Sequence, residues 1–194
     1  MLMGTHLIIS QNIIDSLDPK SRELISEKNF KYGNIKPDIL SKYKLKKHYL
    51  DESYDMIENK INSMCSIDPE TLAKTYNNMS FNQELGVICH FLCDFFCLAH
   101  SERWEFKHSF KQHVKYERDL LSKSKEFRFD SDRQEIKQSF KEFFFDLYDE
   151  YKRNQKSEEN DLMFAAYVCK CVINYIFDRI FSVKKAQKII LATV

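Results

Sequence analysis

The sequence predicts an all-α protein, and three observations favour this class. Only three glycines and three prolines occur in 194 residues, too few for a turn-rich β fold. Apolar residues recur every three or four positions in nearly every segment, and no segment alternates apolar and polar residues over a sustained run. The length suits one domain with a substantial core. We therefore expect a single domain over residues 1–194, built from about seven to nine helices.

Composition and charge narrow the classes of function. Thirty basic and twenty-nine acidic side chains leave a net charge of +1, which provides no broad attraction for nucleic acid or anionic lipid. The N-terminal stretch has neither a basic leader nor a small-residue cleavage site. The most apolar stretch, residues 162–177, contains Lys170 and Asn174 and is shorter than a bilayer span. We expect a soluble protein without a transmembrane segment or a stable nucleic-acid partner. Its expected location is cytoplasmic, unless a leader was removed.

The first elements follow from local periodicity and helix breakers. His6 lies on the apolar side of a first helix, because apolar residues follow it at positions 9, 13 and 17. Residues 18–23 break and restart the chain, and residues 31–40 contain a glycine and a proline that predict a loop. Asp68 followed by Pro69 predicts a further helix start.

Two capping boxes predict the starts of later helices. Residues 80–83 (SFNQ) would open the helix that carries the histidines, and residues 131–134 (SDRQ) would open an amphipathic helix. The apolar stripe of this second helix comprises Ile136, Phe140, Phe143, Phe144, Leu147, Tyr148 and Tyr151. Residues 152–161 are polar and predict a solvated connection into the last, mostly buried helix.

The histidines are concentrated in one part of the chain, since four of the six lie between residues 89 and 118. At 100° per residue, His90 and Asp94 are neighbours on one helix face and can reach a single ion. Asp94 and His100 would be about 120° apart on the same helix, which suits two ions side by side. His113 and Glu117 repeat the four-residue spacing and require the next helix to fold back through a turn around 101–107.

The alternative is a histidine-rich core without metal. A single buried histidine is usually a hydrogen-bonded core residue. Burying this whole set without a cation, however, would cost several kcal/mol for each unpaired polar or charged group. Imidazole and carboxylate are suitable donors for Zn²⁺, so the joint pattern favours a metal site. His108 fits neither spacing and is interpreted as a surface residue or a support for a ligand.

The spacing of these residues resembles the zinc-dependent phospholipase C family. The order His90, Asp94, His100, His113 and Glu117 is the family's order of ligands. Thr5–His6, at the entry to the first helix, resembles a family segment, as do Pro37–Asp38 and the downstream His48. The resemblance covers residues 5–117 in motifs.

This resemblance implies a multi-helical domain around a buried cluster of two or three Zn²⁺ ions. One zinc would take Asp38, His48, His90 and Asp94, and a second would take His100, His113 and Glu117. A third would take His6 and a shared Asp94. In secreted members an N-terminal tryptophan supplies its amine and carbonyl to the third ion. This chain begins with MLMGT, so the third zinc is completed by water or another backbone group, or is absent.

The resemblance also implies a zinc metallohydrolase that cleaves phosphodiester bonds with a metal-activated water. Asp38 would orient or deprotonate that water; the alternative is an ordinary loop aspartate. The expected substrate is a phosphodiester, with phospholipid as one candidate. Choline-reading members carry aromatic residues at the positions of Ile39 and Leu45, so we expect no preference for choline.

Two other functions stay open at this point. One is a nuclease or nucleotidase on the same zinc cage, which a basic groove would favour. The other is a non-catalytic metal-binding module with a closed coordination shell.

The six cysteines are expected to be thiols, because the chain has no recognisable leader. Cys65, Cys169 and Cys171 are interpreted as small buried apolar residues. Cys89, Cys93 and Cys97 form a stripe at four-residue spacing. Cys93 and Cys97 either pack beneath the metal site or bind metal. Packing is favoured, because nitrogen and oxygen donors already saturate the site.

Overall fold

Helices make up the fold throughout the described part of the chain. The computed structural model describes residues 1–40, 48–72, 75–104, 110–130 and 136–192. Within these ranges there is no strand, which confirms the predicted all-α class. No helix in these ranges is both long and apolar enough to cross a membrane. The helices are α1 (Met3–Ser16), α2 (Pro19–Leu24), α3 (Glu27–Ile39), α4 (Leu50–Cys65), α5 (Pro69–Leu72), α6 (Thr75–Phe95), α7 (Leu98–Ser101), α8 (Phe110–Ser124), α9 (Phe140–Arg153) and α10 (Glu158–Ala192).

Helix α6 forms the centre of the core. It packs against α3, α4 and α10, and every residue from 85 to 99 is buried. Apolar side chains such as Phe91 and Phe95 surround the few polar residues of this stretch. His90 and Asp94 are fully buried within it. Because burial removes water as a hydrogen-bond partner, these two side chains need polar or charged neighbours from other elements.

Helix α3 corrects the prediction of a loop over residues 31–40. The chain is helical from Glu27 to Ile39, because Gly33 serves a close helix contact rather than a turn. A Cβ atom at Gly33 would lie 2.1 Å from the carbonyl oxygen of Gln83 on α6. Pro37 lies inside α3 and removes one backbone N–H, which would otherwise pair with the carbonyl of Gly33.

Two of the predicted helix starts are confirmed. Helix α2 begins at Pro19, and the Asp18 carboxylate accepts hydrogen bonds from the backbone N–H groups of Lys20 and Ser21. This is the usual role of an N-cap aspartate. Helix α5 begins at Pro69, also as predicted.

The predicted start at residues 80–83 is wrong. Helix α6 already begins at Thr75, so Ser80 lies inside the helix and is exposed. Serine costs little at an exposed helical position, and the capping pattern therefore does not require a helix end. Asn82 instead joins α6 to the segment between α2 and α3. Its side-chain oxygen accepts from the backbone N–H of Ser26, and its amide donates to the carbonyl of Leu24.

Helix α9 has a capping box that the sequence analysis missed. The Ser139 hydroxyl accepts from the backbone N–H of Glu142, whose side chain accepts from the Ser139 backbone. The capping box predicted at 131–134 lies outside the described residues. The apolar stripe is confirmed in part, since its buried members on α9 are Phe140, Phe144, Leu147 and Tyr151. The connection predicted over 152–161 is shorter, because α10 begins at Glu158 and Asp161 is buried.

Candidate metal centre

The site begins with two side chains one turn apart on α6. His90 Nε2 lies 3.3 Å from Asp94 Oδ2, and both side chains are fully buried. The predicted i,i+4 pair therefore points into one space, as helix geometry requires.

The orientation of His90 is set by a backbone group on α3. His90 Nδ1 lies 2.7 Å from the carbonyl oxygen of Asn34. A carbonyl can only accept, so Nδ1 carries the proton and donates it. The lone pair of Nε2 then faces His48 Nδ1 at 3.2 Å and Asp38 Oδ1 at 3.6 Å. A histidine that binds metal through one ring nitrogen commonly donates the N–H of its other ring nitrogen to a backbone carbonyl, as His90 does here.

Asp38 and His48 reach the site from two sides. Asp38 lies in the last turn of α3, which the Gly33 contact holds close to α6. His48 comes just before α4, and its Nδ1 lies 2.7 Å from Asp94 Oδ2. Asp94 Oδ2 therefore faces both His48 and His90.

His6 approaches the other oxygen of Asp94 from α1. Its Nε2 lies 3.4 Å from Asp94 Oδ1, and its ring stacks on His90 with 4.0 Å between centroids. His6 is fully buried, and neither of its ring nitrogens has a hydrogen-bond partner among the described residues. Such an orphaned imidazole is costly in an apolar core unless something binds to it.

A break after α6 brings His100 to the site and corrects the angular prediction. Helix α6 ends at Phe95, and Cys97 is extended, with φ −110° and ψ 123°. The Asp161 carboxylate accepts from the backbone N–H of Leu98 at 2.7 Å, which stabilises the start of α7. Because His100 lies on a separate helix, its position cannot be counted at 100° per residue from Asp94.

The second half of the site joins α7 to α8. His100 Nε2 lies 3.1 Å from Glu117 Oε1, and His113 Nε2 lies 3.4 Å from the same oxygen. The chain therefore folds back as predicted. Part of the expected turn around 101–107 lies outside the described residues, as does His108.

The α-amino group of Met1 lies between the two halves of the site. Its nitrogen is 2.5 Å from Asp94 Oδ1, 2.8 Å from His100 Nε2 and 3.2 Å from Glu117 Oε1. Burial lowers the pKa of this amine, but the charges of Asp94 and Glu117 outweigh burial and raise it to about 12. A positive charge therefore lies where the two carboxylates converge.

The charges of the site depend strongly on one another. Burial by itself raises the pKa of Asp94, but the Met1 amine, His100 and His6 hold that pKa well below its usual range. Burial lowers the pKa of His6, whereas the charge of Asp94 raises it to about 9. The pKa of His90 is lowered by burial and by the neighbouring charge of His6. Asp94 thus stays ionised and His90 stays neutral, the forms in which they can bind a metal, whereas His6 must lose its proton to bind one.

The residues fit a zinc site. Three groups have potential ligand atoms within 4.8 Å of one another, namely His6, Asp38 and His90; His48, His90 and Asp94; and His100, His113 and Glu117. Nitrogen and oxygen donors of these types are those that Zn²⁺ takes. The unpartnered nitrogens of buried His6 provide a second, independent sign that a cation belongs here.

The six cysteines are free thiols, and the described ligand groups contain none of them. Cys93 Sγ lies 3.7 Å from Cys169 Sγ, and the Cys169 thiol donates to the Cys89 carbonyl at 3.4 Å. The thiol of Cys93 on α6 thus contacts Cys169 on α10, and the packing role of Cys93 and Cys97 stays a prediction.

Two supports of the site were missed by sequence reasoning. The Asn34 carbonyl is a backbone group and leaves no signal in the sequence. Asp161 is the last residue of the polar run over 152–161, and its burial depends on helices that contact it from far along the chain. Its only local signal is its place four residues into the last helix.

Of the two positions used for the choline prediction, Ile39 is 40% exposed at the end of α3, and Leu45 lies outside the described residues.

Comparison with known proteins gives one match. The protein-family model described as zinc-dependent phospholipase C matches residues 5–158. This range includes all eight of the residues predicted to bind metal. No curated protein and no solved structure gave a match.

Proposed function

Since the chain belongs to the zinc-dependent phospholipase C family, we propose that it is a zinc metallohydrolase that cleaves phosphodiester bonds by attack of water on phosphorus. Phospholipids are the candidate natural substrates. One zinc would be held by Asp38, His48, His90 and Asp94, and a second would be held by His100, His113 and Glu117. A third zinc ion would be held by His6 and by Asp94, which it would share with the first ion.

The convergence of both halves of the site on Asp94 is the observation that carries this proposal. Asp94 Oδ2 faces His48 and His90, whereas Asp94 Oδ1 faces His6 at 3.4 Å and His100 at 3.8 Å. A carboxylate with both oxygens engaged can bridge two ions, and closely spaced ions suit phosphoester hydrolysis. Bound zinc supplies Lewis acidity, which activates water and offsets the negative charge that develops on the phosphate.

Asp38 is the residue that we propose to orient the water and accept its proton. Its side chain is 28% exposed, whereas Asp94 is fully buried, so Asp38 lies where solvent reaches the site. Burial raises the pKa of Asp38 above its usual value. A bound zinc ion would oppose this shift, so the solvent exposure of Asp38, and not its pKa, supports the role that we propose for it.

The test is hydrolysis of bis(4-nitrophenyl) phosphate by zinc-loaded protein. We expect zinc-dependent release of nitrophenol, and a loss of about 100-fold or more for Asp38→Asn, within the range of general-base contributions. Asp149→Asn, on the exposed side of α9, is the control and should keep the rate.

The alternatives give different results in the same assay. Faster hydrolysis of single-stranded DNA than of any small diester would favour a nuclease. Full zinc content without turnover of any diester would favour a non-catalytic module and contradict the proposal.

A further inference from the structure

The backbone of Arg103 has a conformation that residues other than glycine rarely adopt. Arg103 follows α7, which carries His100, and its φ is 51°. No other non-glycine residue in the described ranges has a positive φ. The Arg103 N–H donates to the carbonyl of His100 at 3.0 Å. Glycine is the usual residue in this left-handed region, so a side chain kept there is a candidate for a function of its own.

The Arg103 side chain reaches the start of α4. Its guanidinium donates to Asp51 Oδ2 at 2.5 Å and to Glu52 Oε1 at 3.1 Å. It also lies 4.4 Å from the centroid of the Tyr49 ring, and Tyr49 is only 5% exposed. A planar guanidinium can donate to carboxylates and stack on an aromatic face at the same time. One side chain thus joins the end of α7 to the residues around the start of α4.

These contacts connect the two halves of the proposed zinc site. Tyr49 directly follows His48, whose Nδ1 lies 2.7 Å from Asp94 Oδ2. The centroid of the Tyr49 ring lies 6.5 Å from that of His100, and the ring centroids of His48 and His100 are 6.4 Å apart. His48 belongs to one ligand group and His100 to another. The contact of Tyr49 with Arg103 therefore bears on the separation of one ligand from each half.

The ion pairs of Arg103 should add little to the stability of the whole protein. The side chains of Asp51, Glu52 and Arg103 are 71%, 32% and 31% exposed, and water and salt screen ion pairs at such positions. A metal site is more sensitive, because a displacement of about 1 Å in its supporting residues is enough to loosen it. Loss of the Arg103 side chain should therefore change metal binding more than it changes folding.

We propose that Arg103 is a positioning residue that holds His48 and His100 at the spacing that two neighbouring zinc ions require. It acts through Tyr49, on whose ring its guanidinium lies, and through Asp51 and Glu52, which fix that guanidinium in place. This inference rests on the zinc site of the proposed function and adds the contact that sets the distance between its halves.

The experiment measures zinc release from loaded protein to a chromogenic chelator, together with the visible spectrum of cobalt-substituted protein. In Arg103→Gly we expect the apparent affinity for the more weakly bound ion to fall by about tenfold, as when another support of a metal ligand is lost. The cobalt bands should shift, because they report the geometry of the ligands. Glycine suits the positive φ, so this variant removes the side chain without straining the backbone. Arg103→Lys keeps the charge, and its affinity should lie between those of Arg103→Gly and the wild type.

Arg128→Gly is the matched control. Arg128 is an exposed arginine after α8, and its guanidinium donates to the backbone carbonyls of Lys125 and Phe127. This variant should keep the wild-type zinc affinity and cobalt spectrum. Thermal melts in EDTA exclude the contribution of metal to stability. In these melts Arg103→Gly should stay within about 4 °C of the wild type, since exposed ion pairs contribute little.

A double-mutant cycle tests the route through the carboxylates. Asp51→Asn together with Glu52→Gln removes both acceptors of the guanidinium while it keeps the shape of the side chains. Alone, this pair of changes should weaken zinc binding in the same direction as Arg103→Gly. Added to Arg103→Gly, the pair should have less effect than in the wild type, because the interaction is already lost.

Three results would overturn the proposal. Wild-type zinc affinity and an unchanged cobalt spectrum in Arg103→Gly would mean that the side chain does not position the ligands. Equal losses in Arg103→Gly and Arg128→Gly would mean a general effect of removing an arginine. Fully additive losses in the cycle would mean that Arg103 does not act through Asp51 and Glu52.

None of these measurements needs turnover, so the positioning role and the proposed hydrolysis fail separately. Weaker zinc binding in Arg103→Gly, with every diester inert in the wild type, supports the positioning role and contradicts only hydrolysis. Active hydrolysis by the wild type, with unchanged zinc binding in Arg103→Gly, supports the proposed function and contradicts the positioning role.

Discussion

At the scale of single residues, Asp94 contacts more of the other site residues than any one histidine does. Both of its oxygens face imidazoles, and Oδ1 also accepts from the Met1 amine. Its ionised form is stabilised by the surrounding positive charges despite complete burial. Among the described ligand candidates, Asp94 is the carboxylate that lies near imidazoles of both halves of the site.

Asp94→Asn should therefore lose more zinc and more activity than His100→Ala. The amide has the shape of the carboxylate but lacks its charge, so the bridging interaction is lost while the packing stays. We expect the apparent zinc affinity to fall by at least about tenfold. Mutation of a residue that only hydrogen-bonds to a metal ligand already lowers metal affinity by about that factor. Elemental analysis after dialysis measures the zinc content, with the exposed Asp119→Asn as the control. An Asp94→Asn protein with full zinc content would refute the bridging role.

At the scale of helices, the site depends on two contacts that hold helices in register. One is the close approach of α3 and α6 at Gly33 and Gly86. A Cβ at Gly86 would lie 2.3 Å from the Phe30 carbonyl oxygen and 2.7 Å from the Asn34 nitrogen. The other is Asp161 at the start of α10. It accepts from the Leu98 N–H and from the hydroxyls of Tyr116 and Tyr151 and so joins α7, α8 and α9.

Gly86→Ala should weaken both the fold and the zinc site. The new methyl group meets backbone atoms, so α3 must move and take Asn34 and Asp38 away from His90. We expect the free energy of unfolding to fall by about 2 kcal/mol or more, as for overpacked cores. Gly4→Ala is the control, because its methyl would meet only the end of the Leu121 side chain. Urea denaturation of both variants measures the difference. Equal stability would show that the contact can relax.

Asp161 should make stability depend on pH. Burial raises its pKa to about 7, although its three hydrogen bonds lower it. Between pH 3.8 and about 7 the folded protein keeps a proton that the unfolded chain has lost. The contribution of this group to the free energy of unfolding therefore falls as the pH rises through that window. Denaturation curves at pH 4.5 and 7 should show a smaller pH effect in Asp161→Asn than in the wild type. Parallel pH dependences would contradict the assignment.

At the scale of the whole molecule, the zinc site links distant parts of the chain. Its proposed ligands come from α1, α3, α6, α7, α8 and the residue two positions before α4. These groups meet only in the folded protein, so metal binding and folding are coupled. Metal that binds the folded state alone stabilises it in proportion to the logarithm of its free concentration.

The protein should bind at least two zinc ions per chain, and a chelator should lower its melting temperature. For a domain of this size the decrease is expected to be on the order of 10 °C when zinc is well above its dissociation constant. Elemental analysis of protein purified without added metal, together with thermal melts with and without EDTA, tests this. Protein without bound transition metal and with a melting temperature indifferent to EDTA would exclude the zinc site.

The sequence alone determined the helical class and the identity of the candidate ligands. Helical periodicity is local, and the four-residue spacing of His90 and Asp94, and of His113 and Glu117, places each pair on one face wherever the helix lies. The sequence did not determine where a helix ends if that end depends on contacts with residues far away in the chain. Residues 31–40 were predicted as a loop because Gly33 and Pro37 usually mark turns, yet the contact with α6 makes this segment helical.

Tertiary structure alone decided how the two ligand pairs face each other. The break between Phe95 and Leu98 depends on Asp161, which lies 63 positions away from Leu98 in the chain. The tautomer of His90 depends on the carbonyl of Asn34, which lies 56 positions away in the chain. Each of these contacts joins residues far apart in the sequence, and no local pattern encodes such a pairing, because it forms only when the apolar faces of the helices pack.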